Sequence, residues 1–183
     1  MAVTWDKIVL AGSLMSSISA ASDTVAGKVE LATAAETTTG TDTGRAVTPD
    51  GLAGSTIFGV KVVQLICVDF ATNTAIGDGV GYFVVPSALN GMNLVGVHAR
   101  VINAGTTNTT DIQIANVTDS VDMLSTKITI DSGETGSDTA ATAAVIDTTK
   151  DDVVTNDLLR VDVDAISTTA AKGLIVTLTF QLP

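Results

Sequence analysis

One histidine and one cysteine limit the chemistry open to this chain. Any Ser-His-Asp or other imidazole-based acid–base scheme must pass through His98. Strand alternation pairs His98 with Arg100, and no G-x-S-x-G elbow occurs anywhere, so His98 reads as a surface or interface imidazole. Cys67 sits inside Val62-Val63-Gln64-Leu65-Ile66-Cys67-Val68, which offers neither the bases nor the exposure a reactive thiol needs, and a lone cysteine cannot form an intrachain disulfide. It reads as a small buried hydrophobe. Asp131, Glu134 and Asp138, and separately Asp147, Asp151 and Asp152, are hard oxygen ligands of the kind Ca²⁺ takes, but neither set has EF-hand spacing. Solvated loops are the preferred reading, and no set of zinc or haem ligands stands out. Gly77-Asp78-Gly79-Val80-Gly81 lacks the G-x-G-x-x-G spacing and reads as a turn leading into a strand. Acids are plentiful enough for a glycosidase pair, yet aromatics are only 3% of residues, few for sugar platforms, with Tyr82, Phe83, Phe70 and Phe180 in strands where most should be core. Asn108 and Asn116 open glycosylation triplets, which arise freely in Thr-rich sequence. The expectation is a non-enzymatic chain with no catalytic, cofactor or metal site.

The elements that would carry function must come from 183 residues, enough for one full domain with an extra arm. The net charge of −11 with nine Lys and Arg leaves no basic stripe for nucleic acid. No apolar run reaches the length of a membrane span, so no membrane insertion is expected. Residues 7–21 superficially imitate a signal peptide, but Trp5 and Asp6 stand where a basic segment belongs and serines interrupt the apolar part. An arm that docks on another protein is preferred, with Trp5, Ile8 and Leu10 as anchors.

Beyond Ile57 the chain becomes a series of strand-like runs punctuated by Gly, Asn, Asp and Thr: 60–70, 80–86, 93–103, 110–118, 122–130, 143–147, 157–166 and 173–182. This count predicts an all-β, jelly-roll-like antiparallel β-sandwich. Leu174, Val176, Leu178, Phe180 and Leu182 share one face of the final run, opposite Thr177, Thr179 and Gln181. Leu159, Val161, Val163 and Ala165 should face in and Arg160, Asp162 and Asp164 out, while Val95, Val97, Ala99 and Val101 oppose His98 and Arg100. The run 60–70 breaks the alternation. Val60, Val62, Ile66, Val68 and Phe70 line one side, and Val63, Leu65 and Cys67 the other. Two apolar faces need two covers, and a neighbouring subunit seated on Val63, Leu65 and Cys67 is the economical second one; residues 1–59 folding back is the alternative.

Gly27 to Ser55 is too polar to build a core alone. Lys28-Val29-Glu30-Leu31 alternates as a short strand, Thr37 to Gly44 reads as a loop, and Thr48-Pro49-Asp50 looks like a helix start with a hydroxyl N-cap. The run Val29-Glu30-Leu31-Ala32-Thr33, then Glu36, Gly40-Thr41-Asp42-Thr43, Arg45-Ala46-Val47-Thr48-Pro49 and Leu52 resembles a segment recurrent in tailed-bacteriophage fibre and virion-surface proteins. There it joins a virion-binding arm to a trimeric distal domain. The resemblance implies a homotrimer with a virion-attachment arm over 1–26, an intertwined collar over 27–56 and the sandwich over 57–183. Val29, Leu31, Val47, Pro49 and Leu52 would pack the collar, and Arg45 would pair with Glu30 or Asp42 of a neighbouring chain. It further implies a structural protein at the virion surface, made in the host cytoplasm, with a phage capsid or tail protein as partner. A head fibre or capsid decoration is favoured slightly over a tail fibre that reads a host-surface glycan or protein. A polysaccharide-cleaving appendage and a secreted adhesin are the remaining alternatives. Host contacts, if made, would fall on loops 106–110 or 132–139.

Overall fold

The computed structural model describes residues 29–55 and 59–183, and the chain divides into two compact units between Ser55 and Thr56. The arm assigned to 1–26, with Trp5, Ile8 and Leu10, lies outside the described residues.

In the first unit, strand β1 (Glu30–Ala32) pairs in parallel with β2 (Arg45–Val47), Glu30 opposite Arg45 and Ala32 opposite Val47. Parallel neighbours need a crossover, and helix α1 (Ala34–Thr39) supplies it. Its start is a reciprocal capping box: the Glu36 amide donates to Thr33 Oγ1 at 3.3 Å, and the Thr33 amide donates to Glu36 Oε2 at 3.0 Å. Gly40, at φ 65°, ends it in the left-handed conformation a side chain disfavours. The loop expected from Thr37 therefore begins only at Gly40. Helix α2 (Pro49–Ala53) starts as expected, with the Gly51 amide donating to Thr48 Oγ1 at 2.9 Å and Pro49 in the first turn. Gly51 lets the two helices close together, since a Cβ there would lie 3.0 Å from the Ala32 carbonyl oxygen and 3.4 Å from Thr37 Oγ1.

The second unit is a predominantly antiparallel β-sandwich. One sheet has the order β11 (Asp152–Val153), β5 (Met92–Arg100), β13 (Lys172–Gln181), β3 (Val60–Asn73). The other runs β4 (Gly77–Val84), β12 (Leu158–Ala165), β6 (Thr110–Asn116), β7 (Val121–Asp122), with β9 (Ile128–Ile130) also on β6. A small ladder joins β8 (Leu124–Thr126) to β10 (Val145–Ile146). The links from β3 through to β6, and from β11 through to β13, each cross from one sheet to the other. Leu174, Val176, Leu178 and Phe180 of β13 meet Leu159, Val161 and Val163 of β12 and Ile112 and Ile114 of β6 in one continuous buried cluster. The Phe83 and Phe180 rings stack at 6.5 Å within it.

Two bulges redistribute the faces. On β5, Thr179 of β13 pairs with Gly96 and Phe180 with Leu94, so Val95 is an extra residue. Met92 and Leu94 turn into the core and Val95 is exposed, against its expected inward place. On β3, Ile175 pairs with Ile66 and Leu174 with Val68, which leaves Cys67 as the extra residue. Val63, Leu65, Cys67 and Val68 pack half-buried against the core, while Val62, Ile66 and Phe70 are exposed. The outward apolar set is thus the opposite of the expected one. Cys67 fits because Gly81 of β4 lacks a side chain; a Cβ there would stand 2.7 Å from the Cys67 sulfur. Leu182 lies past the ladder and is exposed, and 122–130 breaks into three short strands. Gly77 to Gly81 is part of β4 rather than a turn before it, and the pair Asp152–Val153 is a strand that alternation did not reveal.

Candidate functional site

The described part of the first unit, residues 29–55, is almost all surface. Among its described residues only Thr37, Gly51 and Ser55 are buried, all small or polar. Its large apolar side chains are open: Val29 is 50% exposed, Leu31 61%, Val47 52% and Leu52 42%, with Pro49 exposed as well. Alternation in β1 and β2, and the helical turn after Pro49, turn these groups away from the other described residues of the unit. Residues 29–55 by themselves are too few to stabilise a fold by burial, because too little of their surface is internal.

Arg45 ties the unit together. Its Nε lies 3.4 Å from Glu30, its Nη1 lies 3.2 Å from Asp42, and Nη1 also contacts Glu36. The expected partners Glu30 and Asp42 are therefore reached within the same chain, because parallel register places Glu30 beside Arg45 and the short loop returns Asp42 to it. Glu36, which the expectation omitted, joins through α1. The Glu30 hydrogen bond, strengthened by all three carboxylates, pushes the guanidinium pKa up. The Thr33 amide and hydroxyl, with Arg45 behind them, hold the Glu36 carboxyl below its usual range. The signal for the Glu36 role was readable: Thr33-x-x-Glu36 is the capping-box pattern.

On the sandwich the candidate chemical groups stand apart. His98 Nε2 lies 3.3 Å from Asp138 Oδ1, and this contact, foremost, draws the Asp138 carboxyl down. The residue beside His98 across the ladder is Thr177, whose hydroxyl accepts from Gln64 Nε2 at 3.3 Å. Burial pushes the Cys67 thiol up to about 11, so it is protonated at neutral pH. The acids considered as Ca²⁺ ligands are engaged locally. Asp131 Oδ2 accepts the Ala141 amide at 2.8 Å, and the Thr139 hydroxyl donates to Glu134. Thr149 and Lys150 hold the Asp147 carboxyl down to about 2, and Asn93 Nδ2 donates to Asp151 at 3.2 Å. Among the described residues no three His, Cys, Asp or Glu side chains converge as a metal site requires. Asn116 is buried and donates to Asp119 and Asp157, while Asn108 donates to Thr168. No described helix is long and apolar enough to cross a membrane.

Comparison of the chain with protein-family models, with curated proteins and with solved structures finds no match.

Proposed function

We propose that the chain is a non-enzymatic structural protein of a tailed-phage virion. In this reading it is a homotrimeric surface appendage, a head fibre or capsid decoration, anchored through residues 1–26 and displaying a jelly-roll sandwich. The observation that carries the reading is the exposure of Val29, Leu31, Val47 and Leu52 among described residues of the first unit that bury no large apolar side chain. These residues belong to the segment whose order of residues resembles the collar of phage appendages, and sister chains are the cover that such a segment requires. The strand order, two facing sheets linked by repeated crossings, supports the jelly-roll reading, an arrangement that viral capsid and lectin domains use. Three arms on one rigid trimer would act at high effective concentration, so weak single-arm contacts would become firm attachment.

The test has two arms. Sedimentation equilibrium of the whole chain at micromolar concentration should return three times the protomer mass. Capsids incubated with the chain should retain it, and should lose it when residues 1–26 are deleted. A monomer at that concentration removes the trimer, and equal retention after the deletion removes the docking arm.

A further inference from the structure

A single row of directly paired residues crosses the outer face of the second sheet: Tyr82 on β4, Arg160 on β12, Ala115 on β6 and Asp122 on β7. With strands about 4.8 Å apart, the row spans about 14 Å. Ala115 is small and lies between Arg160 and Asp122. Above it opens a groove of about 380 Å³, walled by Arg160, Asp122, Ser120, Val117 and Val121. That volume falls within the range of small-ligand sites.

Tyr82, one of four strand aromatics of which most were expected to be core, is 55% exposed. A Cβ on Gly79 would fall 2.1 Å from the Tyr82 hydroxyl and 2.6 Å from its Cζ, so the ring lies over the bare glycine backbone. The ring is seated on Gly79 on the far side of Arg160 in the row, and Tyr82 is not part of the groove lining. Gly79 takes φ 77°, and its amide donates to Asp162 Oδ1 at 2.8 Å. The same carboxylate holds Arg160: Nη2 donates to Oδ2 at 2.8 Å, and Nε stands 2.7 Å from Oδ1 as an ion pair outside hydrogen-bond alignment. Asp78 adds a third contact, 3.5 Å from Nη2. Asp162, expected to face solvent, is buried beneath this pair and fixes both the platform and the guanidinium. Nη1 of Arg160 takes part in none of these contacts.

We propose that this row is a binding site for a neutral oligosaccharide. A sugar presents a C–H face to an aromatic ring and hydroxyls to planar donors and carboxylates. Tyr82 is the platform, Arg160 Nη1 the donor, Asp122 the acceptor of paired hydroxyls, and Ser120 a second hydroxyl partner. Charge selects the neutral class. Asp162 and Asp78 already balance Arg160, and Asp122 adds a further negative charge, so an acidic sugar or a phosphate would meet repulsion. The site is contained in one chain and does not depend on the trimer.

The test uses the full chain labelled with ¹⁵N and titrated with lactose, cellobiose, maltotriose and N,N′-diacetylchitobiose up to about 20 mM, a range that detects millimolar affinity. At least one should bind and move the amide signals of Gly79, Tyr82, Ser120 and Asp122. Tyr82→Ala should then weaken binding about tenfold or more, with Tyr82→Trp retaining it. Asp122→Asn, at an exposed position, should weaken it without altering the melting curve. Absence of binding by every neutral probe overturns the proposal. So do shifts confined to other surfaces, unchanged affinity in Tyr82→Ala, or preference for 3′-sialyllactose over lactose.

Discussion

Replacing Leu31 by Ser tests the collar at one position. Leu31 is 61% exposed in its own unit, on a strand whose short ladder does not depend on the side chain. Full burial of a leucine stabilises by roughly 1.5–3 kcal/mol, so covering the exposed portion contributes about 1–2 kcal/mol per protomer. A closed trimer buries three copies. Its assembly free energy should therefore fall by about 3–6 kcal/mol, which shifts the monomer–trimer equilibrium by roughly 10²–10⁴ at 1.4 kcal/mol per decade. Sedimentation equilibrium of wild type and Leu31→Ser across nanomolar to micromolar concentration reads this shift directly. On a monomeric protein the same change belongs to the class of exposed substitutions that stay within about 0.5 kcal/mol. Identical association curves for the two proteins, or a monomeric wild type, would refute the reasoning. Arg45 should be left intact in this experiment, since its contacts to Glu30, Glu36 and Asp42 lie within one chain and their loss would perturb the unit itself.

Three further outcomes concern the sandwich. Phe180→Ala empties a fully buried site stacked on Phe83, and should cost about 3–5 kcal/mol in urea unfolding. Gly81→Ala should destabilise by about 1–3 kcal/mol through the clash with the Cys67 sulfur, and the double variant with Cys67→Ala should recover most of that loss. The Cys67 thiol has its pKa raised by burial from about 9.0 to about 11, so the fold holds the protonated form. That contribution is complete below the unfolded value and is lost as pH rises toward the folded one. The urea midpoint should decline between pH 9 and 11, and the Cys67→Ala protein should decline less.

Strand positions were legible because burial imposes period two wherever one face is wet. Leu174 to Phe180 and Leu159 to Val163 lie on the faces their alternation assigns. Alternation fails where a ladder gains a residue. Val95 and Cys67 are such insertions, and nothing in a linear pattern distinguishes an extra residue from the next member of the series. Asp162 was misplaced for another reason: its position on the outer face is correct, but its cover comes from Arg160 on its own strand and from Gly79 on β4, contacts that depend on two strands meeting. The two-residue strand at Asp152 is too short to carry a period at all. In the first unit Thr48-Pro49 announced its helix, whereas α1 was obscured by a Thr-rich composition that resembles a loop, despite the Thr33–Glu36 pair. The exposed Tyr82 ring was hidden by the same averaging, since aromatics in strands are usually core and only the bare backbone at Gly79 explains the exception.

The position of β13 sets a condition on how the sandwich is made. It lies between β3 and β5, which come from more than seventy residues earlier and do not pair with each other. Until residue 181 has left the ribosome, those two strands flank a gap, with their hydrogen-bonding edges and the apolar sides of Val63, Leu65 and Leu94 open to solvent. Closure of this sheet thus waits for β13, and a nascent chain stalled before it is the species on which chaperones or aggregation would act.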